Sequence, residues 1–598
     1  MGLTGNNLSE VDLSTIRAYN YKINVNLGDR SFKKLPRAFP GPPIGTLPSL
    51  TRIRRRIAFL SGIEPVDYDC CIKSCCCFTG PFAAQTTCPY CGESRYTASG
   101  SPRKIFQYIP LAPRLRALYA DADTARILRY RHDYQPQPGV LADIFDGSHY
   151  RSLCQEKVTI EGESLGHKFF SQPTDIAIGL STDGFGPFKR RKQTCWPIII
   201  FLYNFPPEIR VKLAAIFCLG VIPGPKAPKD YDSFLVPFVE ELLELARGVP
   251  ARDAYMDHNF LLRVYLLLAF GDMPALAKML RLKSTNAVVP CRACKIVALR
   301  DPASGAHAHY YAALHTPSGP SYNPVDLPLR THDEFIRQAI QVATAEGTVQ
   351  SELAILHGIH GVPVLTTLSS IAVPASFPHD FMHILENIIP MLVSHWTGTF
   401  KGLGVGSGSY QISKTTWEAI GEACATSGTT LPSAFGARVP NIATLRYHFI
   451  AETWILFATF VGPVVLQGRF TQPVYYEHFI SLVKLINLCL KLEISEPELQ
   501  DIEEGFAAWV VEYERSVSVL LRCHFASDIV QVILSAPVPP IVRLYNASPC
   551  TSPPRKRYAP CRPRVVLLGL SDGAILRATC KFHQKSARTI HQSQSSNP

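Results

Sequence analysis

The sequence predicts a mixed α/β fold, in which a sheet carries helices on its faces. Three strand-like apolar segments lie within residues 174–223. An amphipathic helix at residues 234–247 and a further apolar, strand-like segment at residues 260–270 follow them. Strands and helices that alternate in this way favour a sheet that is covered by helices.

Composition bounds the class of protein. The chain has 598 residues, too many for a single hydrophobic core, and a formal net charge of +12. Its positive charges are clustered at residues 52–56, 189–192 and 555–557, which favours a nucleic-acid partner and nuclear import over a membrane surface. No apolar segment reaches the ~20 residues that cross a bilayer, and we expect no signal peptide in the polar residues 1–30. The 18 cysteines therefore indicate metal ligands and buried thiols rather than disulfides.

Shifts in composition divide the chain into six predicted segments, one of which carries an insertion. They are a polar and basic tail (1–60) that is loop-like over residues 1–50, a zinc-knuckle module (61–100), a helical basic linker (101–170), the α/β core (171–400) with a mainly helical insertion at about 296–375, a helical C-terminal region (401–515) and a basic, partly disordered tail (516–598).

Cysteine spacing predicts a zinc site near the N-terminus. Residues 88–92 form a CPxCG knuckle, whose glycine permits the tight turn that points backbone amides at thiolate sulfurs. An upstream cysteine cluster supplies a second pair of thiolates to join Cys88 and Cys91, and we choose Cys71 and Cys75 as that pair. A set of free thiols is the alternative. Three neighbouring cysteines leave the choice of pair open: Cys70, Cys76 and Cys77.

Two aspartates follow directly on predicted strands, where α/β sheets place their sites. Asp183 ends the first strand and is followed by the basic residues 189–192, and Asp272 ends the strand at 260–270 and precedes Pro274, which can open the next helix. A carboxylate can hold a divalent cation and clustered cations can bind a polyanion, so this arrangement predicts metal-dependent phosphodiester chemistry. The alternatives are a solvated turn at Asp183 and a helix cap at Asp272.

A second group of polar residues lies further along the chain. Cys291 and Cys294 form another CxxC pair, for which a buried thiol pair is the alternative. The next predicted helix carries a polar face on which one histidine and one carboxylate can bind a metal, and a solvated polar stripe is the alternative. That face is formed by Asp380, His383 and Glu386 or Asn387.

Taken together, the motifs resemble the transposases of CACTA-type (En/Spm) DNA transposons, specifically the branch common in fungal genomes. The resemblance covers roughly residues 55–515, and the ordered series of motifs is more specific than any single one. The matching segments are Cys71–Tyr96, Asp183–Phe185, Cys195–Ile199, Pro206–Arg210, Gly220–Pro225, Gly271–Ala275, Pro290–Cys294, Asp380–Asn387 and Tyr475–Phe479.

The resemblance implies an RNase H-like DDE catalytic core with a helical insertion before the last acid. Asp183, Asp272 and Glu386 match the three catalytic acids of the family. Three carboxylates can hold two Mg²⁺ (or Mn²⁺) ions about 3.5–4 Å apart, and the reaction would be strand cleavage at transposon ends followed by strand transfer to target DNA.

The resemblance also implies roles for other residues and partners. Cys291, Cys294 and His383 would form a second zinc site with Asp380 as its fourth ligand. Such proteins work in the nucleus on transposon ends and target DNA, as multimers on paired ends. The residues that would contact DNA phosphates are Lys189, Arg190, Arg191 and Lys192.

The sequence departs from the family pattern in three places. Residues 283–287 lack the histidine of the Gly-His-Asn-Gly element that usually precedes the CxxC. The segment after Arg515 does not resemble a family C-terminus, and the N-terminus lies close to the knuckle, so we expect that a preceding DNA-end-binding region is absent. The first hypothesis is a transposase, either active or decayed. The departures support an alternative function, a catalytically defective or domesticated DNA-binding protein derived from such a transposase. A zinc-stabilised scaffold without a DNA role is a third hypothesis, which the basic residues 189–192 weaken.

Overall fold

The computed structural model describes residues 8–186, 193–284, 287–300, 310–311, 314–315, 321–379, 381–400, 408–430 and 438–518. Its α-helices are α1 (Glu10–Asn24), α2 (Asp29–Ala38), α3 (Leu50–Ser61), α4 (Ala112–Tyr119), α5 (Ala122–Ile127), α6 (Tyr130–Asp133), α7 (Ser148–Leu153), α8 (Pro207–Arg210), α9 (Asp232–Arg247), α10 (Met273–Met279), α11 (His332–Thr344), α12 (Gly347–His357), α13 (Phe381–Trp396), α14 (Lys414–Ser427), α15 (Ala451–Leu456), α16 (Gly462–Val465), α17 (Pro473–Cys489) and α18 (Glu496–Ser518). Its strands are β1 (Val66–Asp69), β2 (Ile105–Tyr108), β3 (Val140–Leu141), β4 (Lys157–Ile160), β5 (Glu163–Lys168), β6 (Ile176–Ser181), β7 (Trp196–Leu202), β8 (Ile216–Ile222), β9 (Val249–Asp253), β10 (His258–Leu262), β11 (Val264–Phe270), β12 (Leu299–Arg300), β13 (Tyr310–Tyr311) and β14 (Ile494–Ser495).

Six of these strands form the central sheet, in the order β1-β2-β8-β7-β6-β11. Neighbouring strands are antiparallel except for β6 and β11, which run parallel side by side. The strand directions bring the C-terminal ends of β1, β8, β6 and β11 to one edge, together with the N-terminal ends of β2 and β7. We call this the upper edge, and it is formed by Asp69, Ile105, Ile222, Trp196, Ser181 and Phe270.

Successive side chains on a strand point to opposite sides of the sheet, so both faces carry apolar side chains. Other parts of the chain cover both faces. On one face, Ile178 of β6 packs in a cluster with Phe234 of α9. On the other, Ala177 packs in a second cluster with Tyr265 of β11 and Phe169. The predicted mixed α/β fold is confirmed, and the helix predicted at 234–247 is α9.

A separate hydrophobic cluster lies in the C-terminal helices. It joins α13, α14, α15, α17 and α18 through large side chains, and the segment with Cys291 and Cys294 packs into the same cluster. Helices predicted from their 3.6-residue periodicity at 475–493 and 496–513 are present as α17 and α18. None of the helices in the described ranges is both long and apolar enough to cross a membrane.

Two secondary-structure predictions are wrong. The predicted loop-like tail contains helices α1, α2 and α3, which pack on one another through Tyr19, Phe32 and Ile53. Arg56 of α3 also pairs with Asp12 of α1 at 2.7 Å. Polar residues dominate these helices, so each offers few apolar side chains, and those few are buried in the contacts between the helices. The predicted helical linker at 101–170 does contain helices α4 to α7, but the prediction missed four strands, β2 to β5.

Candidate active site

Asp183 and Asp272 lie at neighbouring positions of the upper edge. Strands β6 and β11 pair in parallel up to Ser181 and Phe270, and each aspartate comes two residues after its strand ends. Neighbouring strands are about 4.8 Å apart, so the register sets the two acid-bearing segments side by side. Both aspartates are half-buried.

The two segments stay in close contact one residue beyond the strands. A Cβ atom built on Gly271 would lie 2.7 Å from the backbone oxygen of Thr182. A side chain at position 271 would therefore push the two segments apart. Glycine at this position lets Asp183 and Asp272 follow their strands without separating.

Asp272 is the N-cap of α10. Its Oδ1 accepts a hydrogen bond of 2.6 Å from the backbone N–H of Ala275, and Pro274 lies in the first turn. This satisfies one of the amides that a helix leaves unpaired at its start, and the helix dipole favours a negative charge there. The cap that we considered as an alternative is therefore present. It engages one carboxylate oxygen, and no hydrogen bond within the described residues engages Oδ2.

Two further side chains, Lys278 and Trp196, lie beside the acids at the upper edge, and neither was predicted as a site residue. Lys278 of α10 lies with its Nζ 5.5 Å from the ring centroid of Trp196, and the backbone of Gly184 is in contact with the same indole. Burial lowers the pKa of Lys278, and the nearby Asp272 carboxylate partly opposes this. Lys278 was the one basic residue in the core-facing turns 275–280, a signal that could have drawn attention to it.

The segment that leads into α13, the helix of the predicted third acid, lies along β11, the strand that precedes Asp272. The backbone N–H of Ala269 in β11 donates to the carbonyl of Ser376 at 2.8 Å, and α13 begins five residues later. Glu386 lies in the second turn of α13. Asp380 and the side chains of His383 and Glu386 lie outside the described residues, so their predicted roles stay predictions.

The basic residues 189–192 also lie outside the described residues. The described residues on either side of them, Phe185 and Cys195, form a bridge with each other next to the upper edge. Their predicted contact with DNA phosphates stays a prediction.

Four cysteines converge in the N-terminal module. The Sγ atoms of Cys71, Cys75, Cys88 and Cys91 all lie within 4.8 Å of one another, and those of Cys71 and Cys91 are 3.5 Å apart. A tetrahedral zinc ion with Zn–S bonds of about 2.3 Å needs sulfurs about 3.8 Å apart, so the donor set fits zinc. These are the four cysteines that we chose from the sequence.

The backbone of the knuckle explains this convergence. Gly92 adopts a left-handed φ of +70° and donates its N–H to the carbonyl of Cys88 at 2.9 Å, which closes the turn that glycine was expected to permit. Burial raises the pKa of the Cys71 and Cys75 thiols. Although burial opposes it, hydrogen bonds from the Glu93 amide and neighbouring thiols lower the pKa of Cys91. A bound cation would stabilise all four as thiolates.

The remaining cysteines of the upstream cluster differ in their contacts. Cys77 donates its thiol to the carbonyl of Asp69 at 3.4 Å. Cys76 lies closer to the group, with its sulfur 3.9 Å from that of Cys88. Both are fully buried.

Cys291 and Cys294 form a buried pair beside α13. The amides of Ala293 and Cys294 both donate to the Cys291 sulfur at 3.3 Å. Although burial opposes it, the hydrogen bond from the Cys294 thiol and these amides lower the pKa of Cys291 to about 6. Arg292 donates to the carbonyl of Phe377 at 2.9 Å, which holds the pair next to the start of α13. Within the described residues, no third metal-ligating group joins them.

A comparison with protein families is consistent with this geometry. Residues 160–311 match the model described as "Transposase family tnp2". The match supports a transposase family for this part of the chain. No curated protein matches the chain.

The matched residues contain the central features of the site. They include both acids, Lys278 and the Cys291–Cys294 pair. The four-cysteine cluster and helix α13 lie outside the match, so the match does not bear on their functional assignments.

Proposed function

We propose that this chain is a DNA transposase of the CACTA type, of the branch common in fungal genomes, with Asp183, Asp272 and Glu386 as the acids of an RNase H-like DDE core. The placement of Asp183 and Asp272 after adjacent parallel strands carries the proposal. It gains support because both acids lie in the segment that matches the transposase family model.

The strand order supports the proposed core. Strands β6, β7 and β8 form an antiparallel meander, and the chain then passes through α9 and returns as β11, parallel to β6 and beside it. The first and fourth strands of this unit carry the two acids. The third acid would come from α13, whose leading segment lies along β11.

The proposed site fits divalent magnesium or manganese. Carboxylate oxygens are the hard ligands that Mg²⁺ prefers, and the cap at Ala275 fixes the orientation of the Asp272 carboxylate while Oδ2 stays available. Two bound ions would stabilise the attacking and the leaving oxygens of an in-line displacement. Lys278 adds a positive charge beside Asp272, which offsets negative charge on a phosphate at the site.

The chemistry is a pair of phosphoryl transfers. In cleavage, a water oxygen bonds to the scissile phosphorus and loses a proton to solvent, while the bond from phosphorus to the 3′-oxygen breaks and that oxygen takes up a proton from solvent to become a 3′-hydroxyl. In strand transfer, the freed 3′-hydroxyl attacks a phosphorus of target DNA in the same way. The acids hold and orient the reacting groups, and no protein–DNA bond is formed.

The test is nicking of a duplex that carries the terminal sequences of the element, with Mg²⁺ or Mn²⁺. We compare the wild type with Asp183→Asn and Asp272→Asn, since asparagine keeps the helix cap and removes the negative charge. Each variant should lose at least about 10²-fold in rate and keep its DNA affinity. Asp501→Asn, an exposed acid on α18, is the matched control and should nick as the wild type does.

The outcomes separate the two functions. Nicking that persists in both variants would remove the acids from the reaction. DNA binding without nicking in the wild type would instead favour the alternative, a catalytically defective DNA-binding protein derived from a transposase.

The remaining assignments are proposals on the same basis. Cys71, Cys75, Cys88 and Cys91 would bind a structural Zn²⁺, because four buried or half-buried thiols converge with suitable spacing. The Cys291–Cys294 pair would bind a second Zn²⁺ with His383 and Asp380. The protein would work in the nucleus, as a multimer on paired transposon ends.

A further inference from the structure

The cysteine module, defined as residues 70–104, projects from the same edge of the sheet as the two acids. It connects Asp69 at the end of β1 with Ile105 at the start of β2, and these two residues pair with each other at the upper edge. The module is thus an insertion at this edge.

The module is attached to the loop between β8 and α9, residues 223–231. The carbonyl of Cys75 accepts hydrogen bonds from the amides of Lys229 and Asp230, at 3.0 and 2.9 Å. Ser74 donates to the carbonyl of Gly224 at 2.9 Å, and Lys104 donates to the same carbonyl. The cluster of thiols and this loop therefore form one unit.

The same loop contacts α10, the helix that Asp272 caps. Lys278 donates from Nζ to the carbonyl of Pro228 at 3.3 Å. The loop is therefore in contact with the cysteine module on one side and with the acid site on the other. We refer to the module, this loop and α10 with its N-cap Asp272 together as the upper surface.

This surface carries exposed positive charge. Lys226 and Lys229 are exposed on the loop, and within the described residues neither pairs with a carboxylate. Lys229 donates to the carbonyl of Tyr90 in the knuckle at 3.1 Å. Glu93, the one acid in the sequence of the module, is already paired with Lys73 at 2.9 Å and Arg103 at 2.8 Å. Asp230 of the loop is buried, lies 3.9 Å from Arg281 and accepts a hydrogen bond from the Tyr90 hydroxyl. The net charge of the surface therefore favours a polyanion.

We infer that the upper edge is one binding surface for double-helical DNA, with the loop lysines and the cysteine module on the phosphate backbone beside the cleavage site. The inference rests on the proposed function and adds a second DNA contact to it. From β6 to β1 there are four strand spacings of about 4.8 Å, or about 19 Å. At about 3.4 Å per base pair, the module reaches phosphates about five to six base pairs from the scissile bond.

The test measures how DNA affinity depends on salt, without Mg²⁺. We compare the full chain with the double variant Lys226→Ala/Lys229→Ala, using a labelled mixed-sequence duplex of 30 base pairs and fluorescence anisotropy. Each lysine that neutralises a phosphate contributes about one to the slope of log K against log salt, so the slope should fall by about two. The matched control is Lys414→Ala/Lys484→Ala, two exposed lysines of the C-terminal helices, and its slope should be unchanged.

Three results would overturn the inference. The first is an unchanged slope in the loop variant, and the second is an equal fall in the control variant. The third is better competition for binding by a 30-nucleotide DNA or RNA single strand than by the duplex.

The position of this surface on the DNA is tested by a hydroxyl-radical footprint on a duplex that carries the terminal sequences of the transposon. Wild-type protection should extend from about three base pairs from the nick, at the loop two strand spacings from β6, to about five to six, at the module. The loop variant should lose the protection at about three base pairs, and protection that persists there would contradict the geometry. The salt slope needs no cleavage, so it remains readable if nicking fails. A reduced slope without nicking would keep the DNA surface and reject only the catalytic proposal.

Discussion

One carboxylate of this protein, Asp272, has a structural role that is compatible with its proposed chemical role. Asp272 caps α10 through Oδ1, which fixes its side chain at the end of β11. A functional carboxylate has to be held in one orientation, and a cap bond does that at little cost, since it satisfies an amide that would otherwise be unpaired. The cap and the proposed metal ligand are therefore compatible readings of one residue.

His395 of α13 predicts a pH dependence of stability. The side chain is buried, Nε2 lies 3.0 Å from the Tyr513 hydroxyl, and the ring stacks on Phe400. Burial lowers the pKa of His395 to about 4, against about 6.5 in the unfolded chain. Below pH 6.5 the unfolded state binds a proton that the folded state does not, so stability is lost as pH falls towards 4. The loss is about 2 kcal/mol between pH 7 and pH 5.

The variant His395→Gln removes this titration and keeps a hydrogen-bonding side chain. Its melting temperature should change less between pH 7 and pH 5 than that of the wild type, measured by calorimetry. His258→Gln, at an exposed histidine, is the control and should keep the wild-type difference. An unchanged difference in His395→Gln would show that other groups set the acid limb.

At the level of elements, the sequence patterns predicted the features that neighbouring residues in the chain determine. Helices α9, α17 and α18 have clear periodicity, and the positions of Asp183 and Asp272 follow from where apolar segments stop. The neighbours of the acids could not be found in this way. Lys278 and Trp196 meet only because α10 packs across the start of β7, a contact between segments about eighty residues apart.

In the cysteine module, too, the local turn was predicted and the contacts between residues distant in the chain were not. The knuckle was predicted from Cys88, Cys91 and Gly92, because its turn is local. Spacing alone left five upstream cysteines as candidates for the other two ligands. The fold separates them, since Cys77 faces the Asp69 carbonyl while Cys71 and Cys75 face the knuckle.

Removal of metal should unfold the cysteine module and leave the central sheet folded. The module has a small apolar core of its own, so ligation would supply most of its stability, about 10 kcal/mol or more for a zinc knuckle. A zinc chelator, or Cys88→Ser, should expose Arg95 and Arg103 to trypsin. Limited proteolysis with mass spectrometry measures the rate of cleavage at these two sites.

The control for that experiment is Cys154→Ser, at a half-buried thiol outside the cluster. Its cleavage pattern should match the wild type. Equal protection of Arg95 and Arg103 in the chelated and untreated protein would mean that the module folds without metal.

At the scale of the whole molecule, the described chain has two main hydrophobic cores. One surrounds the sheet and the other joins the C-terminal helices. A short two-stranded pairing of β3 with β14 is among the connections between the two regions. The acids and the cysteine module belong to the sheet region, while α13, which carries Glu386, contributes to the helical core. A complete DDE site would therefore need both regions to be folded.

This division predicts two thermal transitions that respond to different substitutions. Gly271→Ala should lower only the transition of the sheet region, because its Cβ would lie 2.7 Å from the Thr182 carbonyl oxygen. Overpacking of this kind costs about 1–3 kcal/mol, or several degrees for a region of this size. His395→Gln should alter only the transition of the helical region. Gly41→Ala, at an exposed glycine with open space around it, is the control in calorimetry and should move neither. A single transition that both substitutions shift would show that the two cores unfold as one, and the site would then be assembled in one cooperative step.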